Sequence, residues 1–305
     1  SRRGFLKTVV ASGAVVAASS VGCKSPKEEA LAQKEVPTGE MTYRLNNKGE
    51  KISILGYGCM RLPTVSNTSA RESFDMIDQD MVNRHVDYAI EHGVNYFDTA
   101  PVYLQGQSEA ATGLSLKRYP RESYFIATKL SNFSNASKEN SIEMYRNSLK
   151  NLQTDYIDYY LLHSLSGIEA FNQRFGDTGI MDFLQEERKA GRIRNLGFSF
   201  HGDIELFKEL LNNYEWDFVQ LQINYYDWDA DNAKAYYKAL EERNIPCIVM
   251  EPVRGGKLAN LPESDGKRLQ ELRPQESIAS WCFRFLLKSL IFCSSLFNNF
   301  VLLLY

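Results

Sequence analysis

The sequence predicts an α/β fold, a (β/α)8 TIM-type barrel capped by an N-terminal β-hairpin, and three observations carry that prediction. From Met41 onward, short apolar runs alternate with stretches whose apolar residues recur at helical spacing, which implies parallel strands joined by right-handed crossovers. Seven such strands follow the hairpin, more than one half of a doubly wound sheet needs. Three successive strands end in Asp98, Lys129 and His163, and a barrel gathers the C-terminal ends of its strands at one mouth.

Taken in order, the chain starts with Ser1-Arg2-Arg3-Gly4-Phe5-Leu6-Lys7, then an apolar, small-residue run from Thr8 to Val21. A basic start and a short apolar stretch describe an export signal, too short for a convincing spanning helix. The paired arginines resemble the twin-arginine type, which makes the twin-arginine export machinery an expected partner and the periplasm the expected location. Val21-Gly22-Cys23 resembles the end of a lipoprotein cleavage box, although Ser20 is atypical for it. Membrane attachment is thus expected only through the signal or a lipid on Cys23. Residues 1–35 read as signal and tether, with Lys24 to Pro37 charged and Pro-containing.

Met41–Leu45 and Lys51–Ile54 flank Asn46-Asn47-Lys48-Gly49, a hairpin signal with Gly where positive φ is wanted. Strands follow at Leu55–Cys59, Asn95–Asp98, Tyr124–Lys129, Tyr156–His163, Ile193–Ser199, Phe218–Ile223 and Pro246–Met250. Between them, Val82, Val86, Ala89 and Ile90 share a helix face, as do Ile142, Tyr145, Leu149 and Leu152, and Ile204, Phe207, Leu210 and Leu211. Gly93 and Gly191 fit helix stops. The runner-up, a doubly wound sheet, wants a glycine-rich turn after its first strand; Leu55-Gly56-Tyr57-Gly58-Cys59-Met60 has neither a third glycine nor a helix directly behind it.

Composition bounds the function. The 305 residues are 44% hydrophobic and 24% charged, enough for one large core in a barrel over residues 41–290. A net charge of −3 gives no electrostatic case for nucleic acid. The five cysteines form no C-x-x-C pair, so no zinc or iron–sulfur site is spaced for; Cys59, Cys247 and Cys282 read as small core side chains.

Asp98, Tyr103, Lys129 and His163 are ordinary taken singly. An Asp caps turns, a Lys at a strand end is solvated, and a Tyr in a turn packs. Together they make a working acid. A lysine beside a phenol favours the phenolate and lowers a pKa that starts near 10, and an aspartate orients the lysine. A neutral histidine beside the phenol hydrogen-bonds a carbonyl oxygen and fixes it. Such a site protonates an oxygen as a carbonyl is reduced, and needs no metal.

Several motifs in the chain resemble the aldo/keto reductases. They are Asp98-Thr99-Ala100-x-x-Tyr103 followed by Gly106-Gln107-Ser108-Glu109, then Ala127-Thr128-Lys129, then Asp155 through His163, and Ile193-Arg194-Asn195-Leu196-Gly197-Phe198-Ser199 after Gly191. The likeness runs from about Ile54 to about Leu290 in register. It implies reversible hydride transfer between a nicotinamide cofactor, NADPH before NADH, and a small aldehyde, ketone or alcohol. Tyr103 would be the general acid, Lys129 and Asp98 its tuning pair, and His163 the orienting group. Ser199 and Gln220 would hold the nicotinamide carboxamide, with Gln222 a lesser candidate. Two departures point to a bacterial, exported subgroup resembling iron–sulfur-tailed members. Ser199-Phe200-His201 stands where Ser-Asn is common, and Glu251 stands where a stacking Tyr is common. Gly255, with Arg254 and Lys257 nearby, either brings backbone amides to the cofactor pyrophosphate or is a surface loop.

After the helical run Ser277–Leu290 the resemblance leads one to expect an eighth strand and a phosphate-gripping loop. Residues 291–305 instead form an uncharged apolar tail that resembles a truncated or frame-shifted end, with no iron–sulfur segment. The eighth β/α unit is therefore expected to be missing or atypical, with Phe300–Tyr305 a crude substitute strand. Two alternatives stay open: a non-catalytic nucleotide-binding or redox-partner barrel, and an inactive product unable to hold cofactor. Substrate choice would lie in loops over the mouth. In the insert Ser164–Asp177, Phe171, Arg174 and Phe175 either line a pocket or pack the loop down.

Overall fold

The computed structural model of the chain describes residues 41–46, 48–66, 76–289 and 293–298. The expected export signal, tether and Cys23 lie outside the described residues, as do residues 299–305. Within them, a two-stranded antiparallel hairpin, β1 (Tyr43–Leu45) and β2 (Lys51–Ser53), precedes a closed eight-stranded parallel barrel. Its strands are β3 (Leu55–Gly58), β4 (Tyr96–Asp98), β5 (Phe125–Leu130), β6 (Ile157–Leu165), β7 (Ile193–Phe200), β8 (Phe218–Gln222), β9 (Cys247–Met250) and β10 (Cys293–Asn298). Each pairs with the next, and β10 closes the ring between β9 and β3.

Helices fill the crossovers where the spacing predicts them, at Gln79–Glu91, Lys138–Leu152 and Ile204–Asn213 among others. Local chemistry sets their starts. Asp78, Ser137 and Asp203 each accept a backbone N–H of the first turn, at 2.9, 3.3 and 2.9 Å. Gly93 and Gly191 take positive φ (86° and 76°) and turn the chain into the next strand.

Strand alternation divides the core in two. Outward residues such as Phe97, Tyr160, Leu162, Phe198 and Val219 pack under the helices. Inward residues Tyr96, Ala127, Tyr159, Leu161, Phe218 and Ile248 fill the barrel, with Tyr159 edge-on to Tyr96 and to Phe218 at 5.2 and 5.0 Å. The hairpin plugs the N-terminal end: Asn46 Nδ2 donates to the Tyr159 hydroxyl (3.0 Å), Arg194 lies 3.4 Å from Glu50, and Lys48 reaches the Arg194 carbonyl. Gly49, at φ 76°, makes the turn as expected.

The eighth position is filled by Cys293–Asn298, and the expected substitute Phe300–Tyr305 lies outside the described residues. Ser295 to Asn298 pair with Leu55 to Gly58, and Cys293 to Ser295 with Cys247 to Val249. A ladder asks only for an extended, uncharged run without proline, which Cys293-Ser-Ser-Leu-Phe-Asn supplies. The edges of β3 and β9 are thereby paired at these positions.

Candidate active site

Parity along the strands brings the polar residues together. Tyr96, Ala127, Leu161, Gly197 and Phe218 point into the barrel, so two residues further on Asp98, Lys129, His163, Ser199 and Gln220 point inward as well. The apolar layer lies below, and these five form a polar layer at the C-terminal mouth.

Asp98 and Lys129 are its centre. The Lys129 ammonium is 1% exposed and donates to Asp98 Oδ1 (2.6 Å) and to the Thr99 carbonyl (2.7 Å). Its nitrogen stands 4.7 Å from the Tyr103 ring centroid, and its charge acts on the phenol. Burial works against that charge, but Asp98 and Tyr103 outweigh burial, so the lysine pKa is raised and the ammonium persists. Gln220, on β8 across the barrel from β4, donates from Nε2 to Asp98 Oδ2 at 3.1 Å. Both oxygens of Asp98 are thus engaged.

Tyr103 sits just past β4, where the backbone takes a left-handed course at Leu104 (φ 50°), Gln105 (φ 55°) and Gly106 (φ 91°). Two successive non-glycine residues there are strained. The motif that follows holds the strain. Ser108 donates to the Cys59 carbonyl (2.7 Å) and meets Thr99 at 2.8 Å, while buried Glu109 accepts from Thr128 at 2.6 Å. Lys129 lowers the phenol pKa, as expected, but the net direction is upward. Burial is the larger effect, and Asp98 adds to it. The expectation of a lowered tyrosine pKa is corrected to one of a raised value partly relieved by Lys129.

The His163 ring stands 5.9 Å from that of Tyr103 at 79°. Burial, then the charges of Lys129 and Arg174, push its pKa well below the ordinary range, so the ring is neutral. Its Nδ1 lies 2.6 Å from the hydroxyl of buried Ser131, which makes no other described side-chain hydrogen bond. A Ser131 hydroxyl that donates to Nδ1 fixes the tautomer and leaves Nε2–H as the donor. Sequence reasoning passed over Ser131. The available signal was its place two residues after Lys129, hence on the same inward face.

The residues expected to hold a nicotinamide fall into two sets. Ser199 and Gln220 are register partners on β7 and β8, both 1% exposed. The Ser199 hydroxyl accepts from the Ser164 N–H at 2.8 Å, keeping its own proton to give, and the Gln220 oxygen accepts no bond from the described residues. A donor beside an acceptor fits a carboxamide. Gln222 is tied to Asp227 at 2.8 Å. Glu251 (φ 53°) lies 3.7 Å from Arg61, and Arg254 turns to Asp227 and Asp231 at 3.3 and 3.5 Å. Gly255 (φ 62°) stands beside Arg61 and Glu251, and its N–H donates to none of the described acceptors. Phe171 and Phe175 of the insert are buried and pack it down, whereas Arg174 turns to the carbonyl of Ser164, the residue after His163. A cavity of about 640 Å³ lined by Tyr225, Leu261, Trp281 and Phe285 shares no residue with this site.

Residues 54–293 match the model of the Aldo/keto reductase family. A protein described as probable aldo-keto reductase 1 of Glycine max is 31% identical over 164 residues, 51% of this chain and 44% of that one. The uncharacterized oxidoreductase YqkF of Bacillus subtilis is 28% identical over 228 residues, 72% and 67% of the two chains. Among solved structures, the holo form of an aldo-keto reductase from Bacillus halodurans superposes with a TM-score of 0.66 at 26% identity, covering 85% of this chain and 87% of that one. The chain spans about half the length of several curated relatives it matches.

Proposed function

This chain belongs to the aldo/keto reductase family, and from that premise we propose that it is an NAD(P)H-dependent reductase of a small aldehyde or ketone, with Tyr103 as general acid. The observation that carries the reading is the Lys129 ammonium, buried against Asp98 and facing the Tyr103 phenol. A charge kept there, out of water, acts on a proton leaving the phenol oxygen.

Ser199 and Gln220 are the residues to hold the carboxamide, with the Gly255 backbone and Arg61 near the phosphates. A reduced nicotinamide bound there supplies the hydride that the carbonyl carbon gains. The carbonyl oxygen lies between Tyr103 and His163 and receives a hydrogen bond from His163 Nε2. The Tyr103 O–H bond breaks as its proton passes to that oxygen, giving the alcohol, and Lys129 stabilises the phenolate left behind. Solvent returns a proton to Tyr103. NADPH is the cofactor proposed first and NADH the alternative.

The test incubates the full chain with NADPH or NADH and a panel of aldehydes and ketones, following cofactor oxidation and alcohol formation together. Matched consumption of both supports the proposal. Cofactor binding without consumption on any carbonyl rejects it in favour of a nucleotide-binding barrel without turnover. We also propose export to the periplasm, on the strength of Arg2-Arg3 and the apolar run behind them. Residues 1–40 fused to a reporter should carry it across the inner membrane, and replacing both arginines by lysine should stop it.

A further inference from the structure

Five half-buried arginines among the described residues face carboxylates. Arg61 faces Glu251, Arg121 faces Asp158, Arg188 faces Asp217, Arg194 faces Asp158 and Glu50, and Arg254 faces Asp227 and Asp231. Arg174, half-buried like them, faces none among the described residues. Its Nε donates to Asn132 Oδ1 (3.2 Å) and its Nη1 to the Ser164 carbonyl (3.3 Å), both neutral acceptors. Its Nη2 is buried with no acceptor among the described residues. An uncompensated cation in such a place is costly, and burial pulls its pKa down to about 10.

The location gives this charge a use. Arg174 sits on one wide turn, Asn172–Gly176, in the insert after β6. Its guanidinium carbon lies 4.3 Å from the centroid of Phe133, a ring 51% exposed, which in turn lies 5.2 Å from the His163 ring. Phe175 backs the guanidinium from the core side at 4.6 Å. The cation therefore stands one ring beyond the group that orients the carbonyl, behind a wall that is apolar and partly open. For a ligand oxygen to meet the buried Nη2, Phe133 has to move aside.

We propose that Arg174 binds an anionic group on the substrate, so that the carbonyl compounds this site selects are carboxylated ones. The inference rests on the reductase reading for its chemistry, but the anion site stands on Arg174 alone.

Steady-state kinetics of the full chain on two matched pairs test it: 4-carboxybenzaldehyde against benzaldehyde, and 4-oxobutanoate against butanal. The carboxylated member of each pair should have the lower KM. Arg174→Met should raise that KM about ten- to a hundredfold, the range of a hydrogen-bonded charge contact, and leave the neutral aldehydes within about twofold. Arg174→Lys should keep most of the preference, because charge rather than the fork geometry carries it. Equal loss on both members of a pair marks a clamp that only holds the insert and overturns the proposal, as does a wild type with no preference. If no aldehyde is reduced, the reductase reading fails separately, and calorimetric binding of 4-carboxybenzaldehyde decides the anion site. Weaker binding to Arg174→Met supports the site, and equal binding overturns it.

Discussion

Lys129 is charged inside the barrel because Asp98 is there, and the pair shows how much each residue depends on its partner. Removing one member of a buried ion pair leaves the other uncompensated, at a cost of about 3–5 kcal/mol. Asp98→Ala should lower the unfolding free energy by that amount in denaturant titration and suppress turnover with it. His163 predicts a pH dependence. Its folded pKa is depressed, so its contribution to stability is full above the ordinary value of 6.5 and is lost as pH falls below that. Thermal unfolding at about pH 7.5 and about pH 5 should show a larger acid loss in the wild type than in His163→Gln. Equal losses would reject a buried neutral ring. Tyr103, raised by burial, should titrate above 10 in a phenolate absorbance difference against Tyr103→Phe, and Lys129→Met should move it higher still.

These four residues were legible from the sequence because strand parity and chemistry agree: each is an inward position at a strand end or in the turn just after it. The direction of the tyrosine shift was not legible. It depends on how deeply the turn after β4 is covered, a tertiary property that no spacing encodes. Ser131 was hidden for a related reason, since a serine two residues past a lysine gains meaning only when β6 brings His163 beside it.

At the scale of elements, close approach of backbones decides what the sequence must be. Gly197 on β7 lies so near β8 that a Cβ would stand 2.3 Å from the Phe218 carbonyl oxygen. Gly197→Ala should therefore cost more than about 3 kcal/mol, measured as a shift of the denaturant midpoint, because a strand and not a flexible side chain has to move. The seven strands Leu55–Met250 and the helix Ser277–Leu290 are legible in the sequence with ends shifted by a residue or two, the usual ambiguity of frayed termini. Three further helices are legible by their apolar faces, whereas Ser108–Leu116, Ile180–Lys189, Ala233–Glu241 and Glu263–Leu272 are placed only by the structure. The insert could not be resolved that way. Phe171, Arg174 and Phe175 look alike as pocket candidates in the sequence, and the fold divides them by which side of one turn each occupies.

At the scale of the whole molecule, closure rests on β10. It pairs four positions of β3 and three of β9, so a chain stopped after residue 290 has two open edges in a barrel otherwise sealed. Such a chain should lose cooperative thermal unfolding and associate on size-exclusion chromatography. A monomer of unchanged midpoint would show that β10 closes nothing of consequence. Sequence resemblance ends near Leu290, which is why the eighth unit is expected to be missing or atypical; hydrogen bonding of an extended segment needs little from side chains, and so leaves little trace in them.

All three scales converge on one proton, the one on the Tyr103 oxygen. The direct measurement is single-turnover reduction of an accepted aldehyde by Tyr103→Phe, with cofactor binding followed in parallel by nicotinamide fluorescence. The variant keeps the ring, so cofactor affinity should stay within about threefold, while the rate of reduction should fall by about a hundred- to ten-thousandfold, the span of a general acid. A variant that still reduces the aldehyde at a rate near the wild type's would contradict Tyr103 as the acid, and with it the role given to Lys129 and Asp98.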